Sequence, residues 1–236
     1  MSDLVPPLVV IRPEPGASAT REAARTMGLD ARVFPLFDVR ALEWEPVPPG
    51  EVDALLFGSA NALRHGGAAL ERYRGLPAYA VGETTAAAAR AAGLEVIATG
   101  KGGLQPMLGA LSGRHRRLLR LAGRERVDLH PPDGVTMTTR EVYASKPLPF
   151  PPALAQLLAR PAVILLHSGE AAAHFARECE RAGIDRGKLA LASIGPRVAG
   201  RAGEGWAASR SISRPSDAAL LALAAQMCQD SANWLP

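Results

Sequence analysis

The sequence predicts an α/β protein made of two doubly wound, parallel-sheet domains of the Rossmann or flavodoxin-like type. Three observations predict this fold. Short apolar runs alternate with Ala-rich helical runs, proline-rich stretches interrupt the alternation twice, and a strand–glycine–helix pattern occurs in both Tyr79–Val96 and Ala192–Trp206. Such alternation favours parallel sheets, because a parallel crossover is long enough to hold a helix.

The chain opens with a predicted strand, helix and strand. Leu8–Pro13 is an apolar run that ends at proline, and Ala31–Phe37 is a second apolar run. Between them, Gly16–Gly28 has the pattern of a helix, with Ser18 as a candidate N-cap and Gly28 as its stop. This order predicts parallel pairing through a right-handed crossover.

The middle of the chain resumes the alternation after a proline-rich connector, Glu43–Asp53. The predicted strands of this block are Ala54–Ser59, Ala78–Gly82, Leu94–Thr99 and Arg117–Gly123. The predicted helices are Ala60–Tyr73, Glu83–Gly93 and Leu104–Ser112.

The last block follows a second, extended connector, Val135–Pro151. Its predicted strands are Ala162–Ser168 and Lys188–Gly195, and a short apolar run, Trp206–Ile212, follows them. Its predicted helices are Gly169–Gly183, Pro196–Gly203 and Pro215–Asp230, the last with proline in its first turn.

The middle and last blocks can be overlaid, with Ser59 on Ser168 and Gly82 on Gly195. The last block lacks an opening strand, helix and strand, which the first 37 residues supply. We therefore expect a discontinuous domain, residues 1–37 plus 148–236, and an inserted domain, residues 45–140. The connectors, residues 38–44 and 141–147, are expected to pair as a two-stranded β-ribbon, with a ligand cleft between the domains.

Composition narrows the class of ligand. The net charge is +4 and nearly all of the positive charge is arginine, whose planar fork suits carboxylates and phosphates. The dense basic cluster, Gly113–Arg126, has no aromatic ring except His115, so nucleic acid is not expected. The cluster also spans a predicted strand, so its charges are expected to divide between two loops.

No membrane, metal or redox chemistry is expected from the sequence. The apolar runs fall short of the ~18 residues of a membrane span, and the first residues lack the pattern of a signal peptide. The two cysteines, Cys179 and Cys228, and the five scattered histidines have no metal-type spacing. We expect a cytoplasmic protein with reduced cysteines, without metal and without cofactor.

Five Gly- or Ser-rich turns follow predicted strands and precede helices. Their free N–H groups and the positive end of the helix dipole favour anions, although each turn alone also fits ordinary helix capping. The candidate binding residues in these turns are Ser59, Ala60, Asn61, Gly82, Thr84, Thr85, Ser168, Gly169, Gly195, Pro196, Arg197, Pro215 and Ser216. Five such turns predict a ligand with many acidic groups.

Two further residues have open alternatives. Arg12 at the end of the first strand is either a surface arginine or a carboxylate clamp. Tyr143 in the return connector either packs there or donates its phenol proton to a leaving group. The sequence lacks G-x-G-x-x-G after a strand, a Walker lysine and a G-x-S-x-G elbow.

In order along the chain, the motifs resemble those of the uroporphyrinogen-III synthase family. The pair Arg12-Pro13 resembles T-R-P, "FGSANAL" resembles F-T-S-x-N-A-V, and "AVGETTA" matches V-G-x-x-T-A with its threonine at Thr85. The connector "EVYASKP" carries the family's tyrosine at Tyr143, while "SIGPRVA" and "RPSDAAL" resemble I-G-P-x-T-A and P-S/T-x-x-A-L.

Three positions depart from these motifs. Ile11, Gly58 and Val198 stand where the family commonly has threonine. They remove three hydroxyls from the expected cleft and leave backbone donors in place.

The resemblance implies a cofactor-free cyclase. Its substrate is hydroxymethylbilane, a linear tetrapyrrole with an acetate and a propionate on each of four pyrroles. The reaction loses the terminal hydroxyl as water, inverts ring D through a spiro intermediate and closes the macrocycle. Catalysis is then chiefly positioning, with backbone donors in the turns holding the carboxylates and Tyr143 serving the leaving group.

Two alternatives stay open at the level of sequence. The first is a two-lobed, non-enzymatic binding module for a small polyanion. The second is a nucleotide-dependent transferase, which the missing phosphate motifs disfavour. A monomer is expected, and the resemblance adds a transient transfer of substrate from hydroxymethylbilane synthase.

Overall fold

The computed structural model describes residues 5–111, 113 and 115–234. The strands are β1 (Leu8–Val10), β2 (Ala31–Val33), β3 (Phe37–Ala41), β4 (Ala54–Phe57), β5 (Pro77–Val81), β6 (Glu95–Gly100), β7 (Arg117–Gly123), β8 (Thr136–Pro147), β9 (Ala162–Leu166), β10 (Leu189–Ser193) and β11 (Ala208–Ser211). The α-helices are α1 (Gly16–Thr26), α2 (Ala60–His65), α3 (Glu83–Ala91), α4 (Leu104–Leu108), α5 (Pro152–Leu157), α6 (Gly169–Arg181), α7 (Pro196–Arg201) and α8 (Asp217–Gln229).

The chain divides into two compact units. The first unit comprises Met1–Asp38 and Pro147–Pro236, and the second comprises Val39–Lys146. The parallel α/β fold predicted from the sequence is confirmed. No helix in the described part of the chain has the length and apolarity needed to span a bilayer.

The first unit has a five-stranded sheet in the order β11-β10-β9-β1-β2, with all pairings parallel. Every residue of β9 and β10 is buried, because helices cover both faces of the sheet. One face packs against α5, α6 and α7, and the other packs against α1 and α8. The strand order reverses direction between β1 and β9, which makes their carboxyl ends the topological switch point of this sheet.

The second unit has a six-stranded sheet in the order β3-β8-β7-β4-β5-β6. The pairings from β8 to β6 are parallel. Helices α2 and α3 lie on one face of this sheet and α4 lies on the other. The switch point falls between β4 and β7, where the chain returns to the opposite side of β4 after β6.

Strands β3 and β8, which include parts of the two connectors, are neighbours in the six-stranded sheet. Leu42 donates its N–H to the carbonyl of Val142, and Leu148 donates to Leu36, both at 2.9 Å. These two bonds show antiparallel pairing, since going back from Leu42 to Leu36 in one segment corresponds to going forward from Val142 to Leu148 in the other. Strand β8 is 12 residues long, and its first part also pairs with β7, so β3 becomes the edge of the six-stranded sheet.

Several helix boundaries predicted from local sequence patterns differ from those in the structure. Ser18 is not the N-cap of α1; instead the carboxylate of Glu14 accepts from the Ser18 N–H at 3.0 Å. The helix predicted over residues 60–73 ends at His65, and a 3₁₀ segment, Ala68–Tyr73, follows the positive φ of Gly67.

Further differences lie close to prolines. Pro35 divides the strand predicted at residues 31–37 into β2 and the start of β3. Helix α8 begins at Asp217 with Ser216 as its cap, so Pro215 lies outside it. Helix α5, which begins at Pro152, was not predicted, and the predicted helix end at Ser112 lies outside the described residues.

Candidate functional site

The predicted turns lie at the carboxyl edges of the two sheets. In the first unit, Ser168 follows β9, Gly195 follows β10 and Ser216 follows β11. In the second unit, Ser59 follows β4 and Gly82 follows β5. Because β9, β10 and β11 are parallel to one another, as β4 and β5 are, the turns of one unit share one edge of that unit's sheet.

The three serines of these turns are N-caps whose Oγ atoms accept backbone hydrogen bonds. The donors are the N–H groups of Asn61 to Ser59 at 3.2 Å, Ala171 to Ser168 at 3.1 Å and Ala219 to Ser216 at 3.2 Å. A hydroxyl that accepts one bond still has its own proton to donate. The capping role therefore leaves each serine able to donate to an anion at the same edge.

The two glycines keep the backbone uncovered at the starts of α3 and α7. Gly82 has a φ of 75°, in the region that favours glycine, and a Cβ there would meet no atom within 4 Å. Gly195 is extended, and Pro196 is the first residue of α7. Pro196 and Arg197 are both exposed, and Arg197 forms no ion pair with a described residue.

The remaining candidates in the second unit differ in exposure. Ala60 and Thr85 are buried, whereas Thr84 is exposed. The Oδ1 atom of Asn61 accepts from Arg64 at 2.9 Å, which leaves its Nδ2 group able to donate. The donors at this edge are therefore the hydroxyls of Ser59 and Thr84, the Nδ2 group of Asn61 and backbone N–H groups.

Close packing restricts Gly169 at the start of α6. A Cβ added to Gly169 would lie 2.9 Å from the Cγ of Arg201. The exposed Pro215 precedes the cap of α8. Both residues shape the edge, and neither brings a polar side chain to it.

Arg12 belongs to a hydrogen-bonded network at the switch point of the first sheet. Its Nη1 donates to Thr20 at 3.3 Å and to Asp217 at 3.4 Å. The carboxylate of Asp217 also accepts from Thr20 at 2.9 Å and lies 2.7 Å from the Nε2 of His167. Burial raises the pKa of Asp217, but the hydrogen bonds of His167 and Thr20 and the charge of Arg12 outweigh it and lower that pKa.

This network holds the starts of α1 and α8 at the ends of β1 and β9. The Nδ1 of His167 is buried and has no partner among the described residues. Sequence reasoning missed the network, because His167 and Asp217 are distant in sequence. The only available signal was that both fall in turns already marked as strand ends.

Tyr143 lies near the end of β8, and its ring covers Gly123 of β7. A Cβ at Gly123 would come within 2.7 Å of the ring, and the ring centroid of His65 lies 6.1 Å away. The side chain is half-buried, and its hydroxyl makes no hydrogen bond to a described residue. The phenol is thus held by packing, with its proton free to donate.

Strand β7 divides the basic cluster in part as expected, since Arg116 precedes the strand while Arg124 and Arg126 follow it. Arg117 begins β7 and pairs with Asp53 at 2.6 Å, while Arg126 pairs with Glu141 at 2.6 Å. Arg120, however, lies within β7 and is only 6% exposed. Arg114, another member of the cluster, lies outside the described residues.

Within the described residues, no group of three or more histidine, cysteine or carboxylate side chains could hold a metal ion. The sequence model of uroporphyrinogen-III synthase HemD matches residues 18–222 of the chain. The chain belongs to the uroporphyrinogen-III synthase family. It is therefore a cyclising lyase of tetrapyrrole and haem biosynthesis.

Solved structures support the uroporphyrinogen-III synthase fold. The uroporphyrinogen-III synthetase of Helicobacter pylori 26695 has 17% identity and a TM-score of 0.63, covering 94% of this chain and 99% of that one. A mutant uroporphyrinogen III synthase of the extremely thermophilic bacterium Thermus thermophilus has 15% identity and a TM-score of 0.56, covering 95% and 99%. No curated protein sequence matches the chain.

The departures from the family motifs have a structural explanation at all three positions. Ile11 is fully buried in the core of the first unit, and Val198 packs against the same core. A threonine hydroxyl at either position would enter an apolar environment. At the third, a Cβ on Gly58 would lie 3.3 Å from the Cδ1 of Leu104, so even a small side chain there would crowd α4.

Proposed function

We propose that the chain converts hydroxymethylbilane to uroporphyrinogen III without a cofactor, by positioning its carboxylates with donors at the carboxyl edges of both sheets. The observation that carries this mechanism is the set of capping serines, Ser59, Ser168 and Ser216, each with a proton left to donate. Gly82 and Gly195 add uncovered backbone at the same edges.

The enzyme must select between two ways in which the bound linear tetrapyrrole can close into a ring. Loss of the terminal hydroxyl as water leaves an azafulvene-like cation, which closes unrotated to the type I isomer in solution. Attack at the substituted carbon of ring D gives a spiro intermediate and then type III. A difference of ~3 kcal/mol between the two barriers limits the type I isomer to about 1%.

Tyr143 is proposed to donate its phenol proton to the leaving hydroxyl. Its support is the free hydroxyl and the fixed ring, which packs on Gly123. A donor held in place in this way assists departure of water without an acid–base pair.

The cellular setting is part of the same proposal. Cys179 and Cys228 are both free and buried, which agrees with reduced thiols in the cytoplasm. We propose that the chain acts as a monomer that receives its unstable substrate by transient transfer from hydroxymethylbilane synthase.

A coupled assay tests the proposed reaction. Purified protein receives fresh hydroxymethylbilane, and the products are oxidised and separated into type I and type III uroporphyrin. Type III in large excess, without added cofactor, supports the proposal. Type I alone, at the uncatalysed rate, would overturn it and favour a binding module for a small polyanion.

A further inference from the structure

Arg120 is a charged residue in the interior of the second unit. It occupies the middle of β7, paired with Leu56 of β4 on one side and Thr139 of β8 on the other. Only 6% of the residue is exposed, and its neighbours along β7 are buried leucines. Arginine is almost never buried to this degree unless it is paired.

The guanidinium of Arg120 has no counter-ion among the described residues. Its Nη2 donates to the carbonyl of Val127 at 2.9 Å, and its Nε is buried without a partner. Nη1 makes no bond to a described residue and is not among the buried unpaired atoms, so it meets solvent. Burial and the charge of Arg126 both lower the pKa of Arg120, whereas Asp128 and Tyr143 have the opposite, smaller effect.

Such an arrangement costs stability. A buried charge without an ion partner loses hydration that one carbonyl does not replace, and arginine does not escape the cost by losing its proton. Three other arginines of the cluster do have carboxylate partners, namely Asp53 for Arg117 and Glu141 for both Arg124 and Arg126. Arg120 is buried and has no such carboxylate partner, which indicates that another group binds to it.

The position of Arg120 matches where a ligand would bind. Its strand borders β4, so β7 forms one side of the topological switch point of the second sheet. The bond to Val127, which follows the end of β7, places the guanidinium on the carboxyl side of the strand. Gly58 lies two residues beyond Leu56, about 7 Å further in the same direction.

We propose that Arg120 is the buried cationic anchor for one acetate or propionate carboxylate of the tetrapyrrole. The inference rests on the proposed function for the identity of the ligand. The carboxylate supplies the negative charge that the described residues do not, and the exposed Nη1 is its first contact. A charge-assisted bond of this kind is among the strongest that a binding site can offer.

The test compares Arg120→Met with Arg72→Met. Arg72 is an exposed arginine of the same unit and forms no ion pair with a described residue, so it controls for the loss of one positive charge. We expect R120M to raise the KM for hydroxymethylbilane about 10- to 100-fold, the usual effect of losing one charge-assisted hydrogen bond. The thermal midpoint of R120M should equal or exceed that of the wild type, because methionine removes an unpaired buried charge.

A fall in thermal stability with an unchanged KM would overturn the proposal, since Arg120 would then be structural. An equal rise of KM in R72M would also overturn it. If R120M does not fold, Arg120→Lys replaces it, because a compact ammonium keeps the charge and loses the planar fork; a KM unchanged in R120K would again count against the anchor.

A titration with uroporphyrin III, a stable octacarboxylate, separates this inference from the proposed function. If the wild type yields no type III product but binds uroporphyrin III more tightly than R120M does, the cyclase proposal fails and the anchor stands. If the wild type makes type III and R120M matches it in both KM and affinity, the anchor fails and the cyclase stands.

Discussion

The hydroxyl of Tyr143 is separable from its ring, because packing on Gly123 holds the ring and no described residue binds the hydroxyl. We expect Tyr143→Phe to lower kcat about 3- to 10-fold and to leave KM and thermal stability unchanged, as the loss of one hydrogen bond in the transition state would. Single-turnover kinetics with hydroxymethylbilane measure the effect.

Tyr73→Phe is the matched control. Tyr73 is buried in the same unit, and its hydroxyl donates to the carbonyl of Val47 at 2.7 Å. Y73F should therefore lose about 1 kcal/mol of stability and keep its rate. Complete inactivity of a folded Y143F protein would show that the phenol is essential, and an unchanged kcat would remove it from the mechanism.

Asp53 fixes the beginning of β7 beside β4. Its carboxylate accepts from the backbone N–H groups of Arg116 and Arg117 at 2.9 and 2.8 Å, and from the Arg117 guanidinium at 2.6 Å. The hydrogen bond from Arg117 lowers the pKa of Asp53 from 3.8 to about 2. A depressed pKa in the folded state stabilises the fold above the ordinary pKa, and this contribution disappears as pH falls through about 2.

We expect Asp53→Asn to lower the thermal midpoint by about 2–4 °C at pH 7, equivalent to the loss of about 1 kcal/mol of hydrogen bonding. The difference from the wild type should stay constant down to about pH 4 and shrink towards pH 2. Thermal unfolding at a series of pH values measures it. Asp30→Asn, at an exposed pair with Arg32, should show no such difference.

The sequence was sufficient to locate the residues at the strand ends, but not the residues that contact them in the folded unit. Ser59, Ser168 and Ser216 follow apolar runs, and that pattern is sufficient to place them at sheet edges. The contact of His167 with Asp217 depends on which strands become neighbours, and no local pattern encodes it. The arginine within "RLLRLAG" was visible as a charge in an apolar run, but its lack of a counter-ion is a property of the folded unit.

At the scale of elements, α6 allows helix capping to be separated from anion binding. Aspartate caps a helix as well as serine does, but it adds a negative charge where the substrate brings carboxylates. We expect Ser168→Asp to keep the thermal midpoint within about 1 °C and to raise KM at least tenfold, whereas Ser168→Ala should lose about 1 kcal/mol of stability. Steady-state kinetics and thermal unfolding of both variants measure this.

Gln156→Glu controls for the added charge. Gln156 on α5 lines a cavity with Pro7 and Pro161, which adjoin the amino ends of β1 and β9, whereas Ser168 follows the carboxyl end of β9. The Q156E variant should retain its KM. An S168D protein with an unchanged KM would mean that Ser168 only caps α6.

Elements were predictable where a strong apolar pattern met a clear stop. Strand β7 has the predicted bounds, because an apolar run that only Arg120 interrupts follows Arg117 and ends at Gly123. Helix α5 was missed, since its short run between prolines resembles a connector. The cap of α1 was misassigned because Glu14, outside the usual set of capping residues, accepts from the Ser18 N–H four residues further along the chain.

At the scale of the whole molecule, the two parallel sheets follow from one repeated pattern, which is why the fold was predictable at low sequence identity. Alternation of strands and helices requires crossovers, and crossovers of one hand on both faces of a sheet lead to a doubly wound unit. The strand order depends on pairings between segments that are far apart in sequence. The first unit is completed only when β9 returns beside β1, more than a hundred residues later.

The two cysteines report whether the sheet of the first unit is intact, because they lie on helices that cover its opposite faces. Cys179 lies on α6 in the core on one face of its sheet, and Cys228 lies on α8 in the core on the other. Burial raises the pKa of Cys179 to about 12 and that of Cys228 to about 11. At pH 8 only about 0.1% or less of either thiol is thiolate, and neither is accessible to a reagent.

We therefore expect no reaction of the native protein with Ellman's reagent at pH 8 on the minute timescale, and two equivalents after unfolding in guanidinium. In intermediate denaturant, both thiols should react at one common rate, because each requires the sheet between them to open. The single variants Cys179→Ala and Cys228→Ala assign the two rates. Fast reaction of one thiol in the native protein, or two different rates in intermediate denaturant, would mean that one helix opens without the rest of the unit.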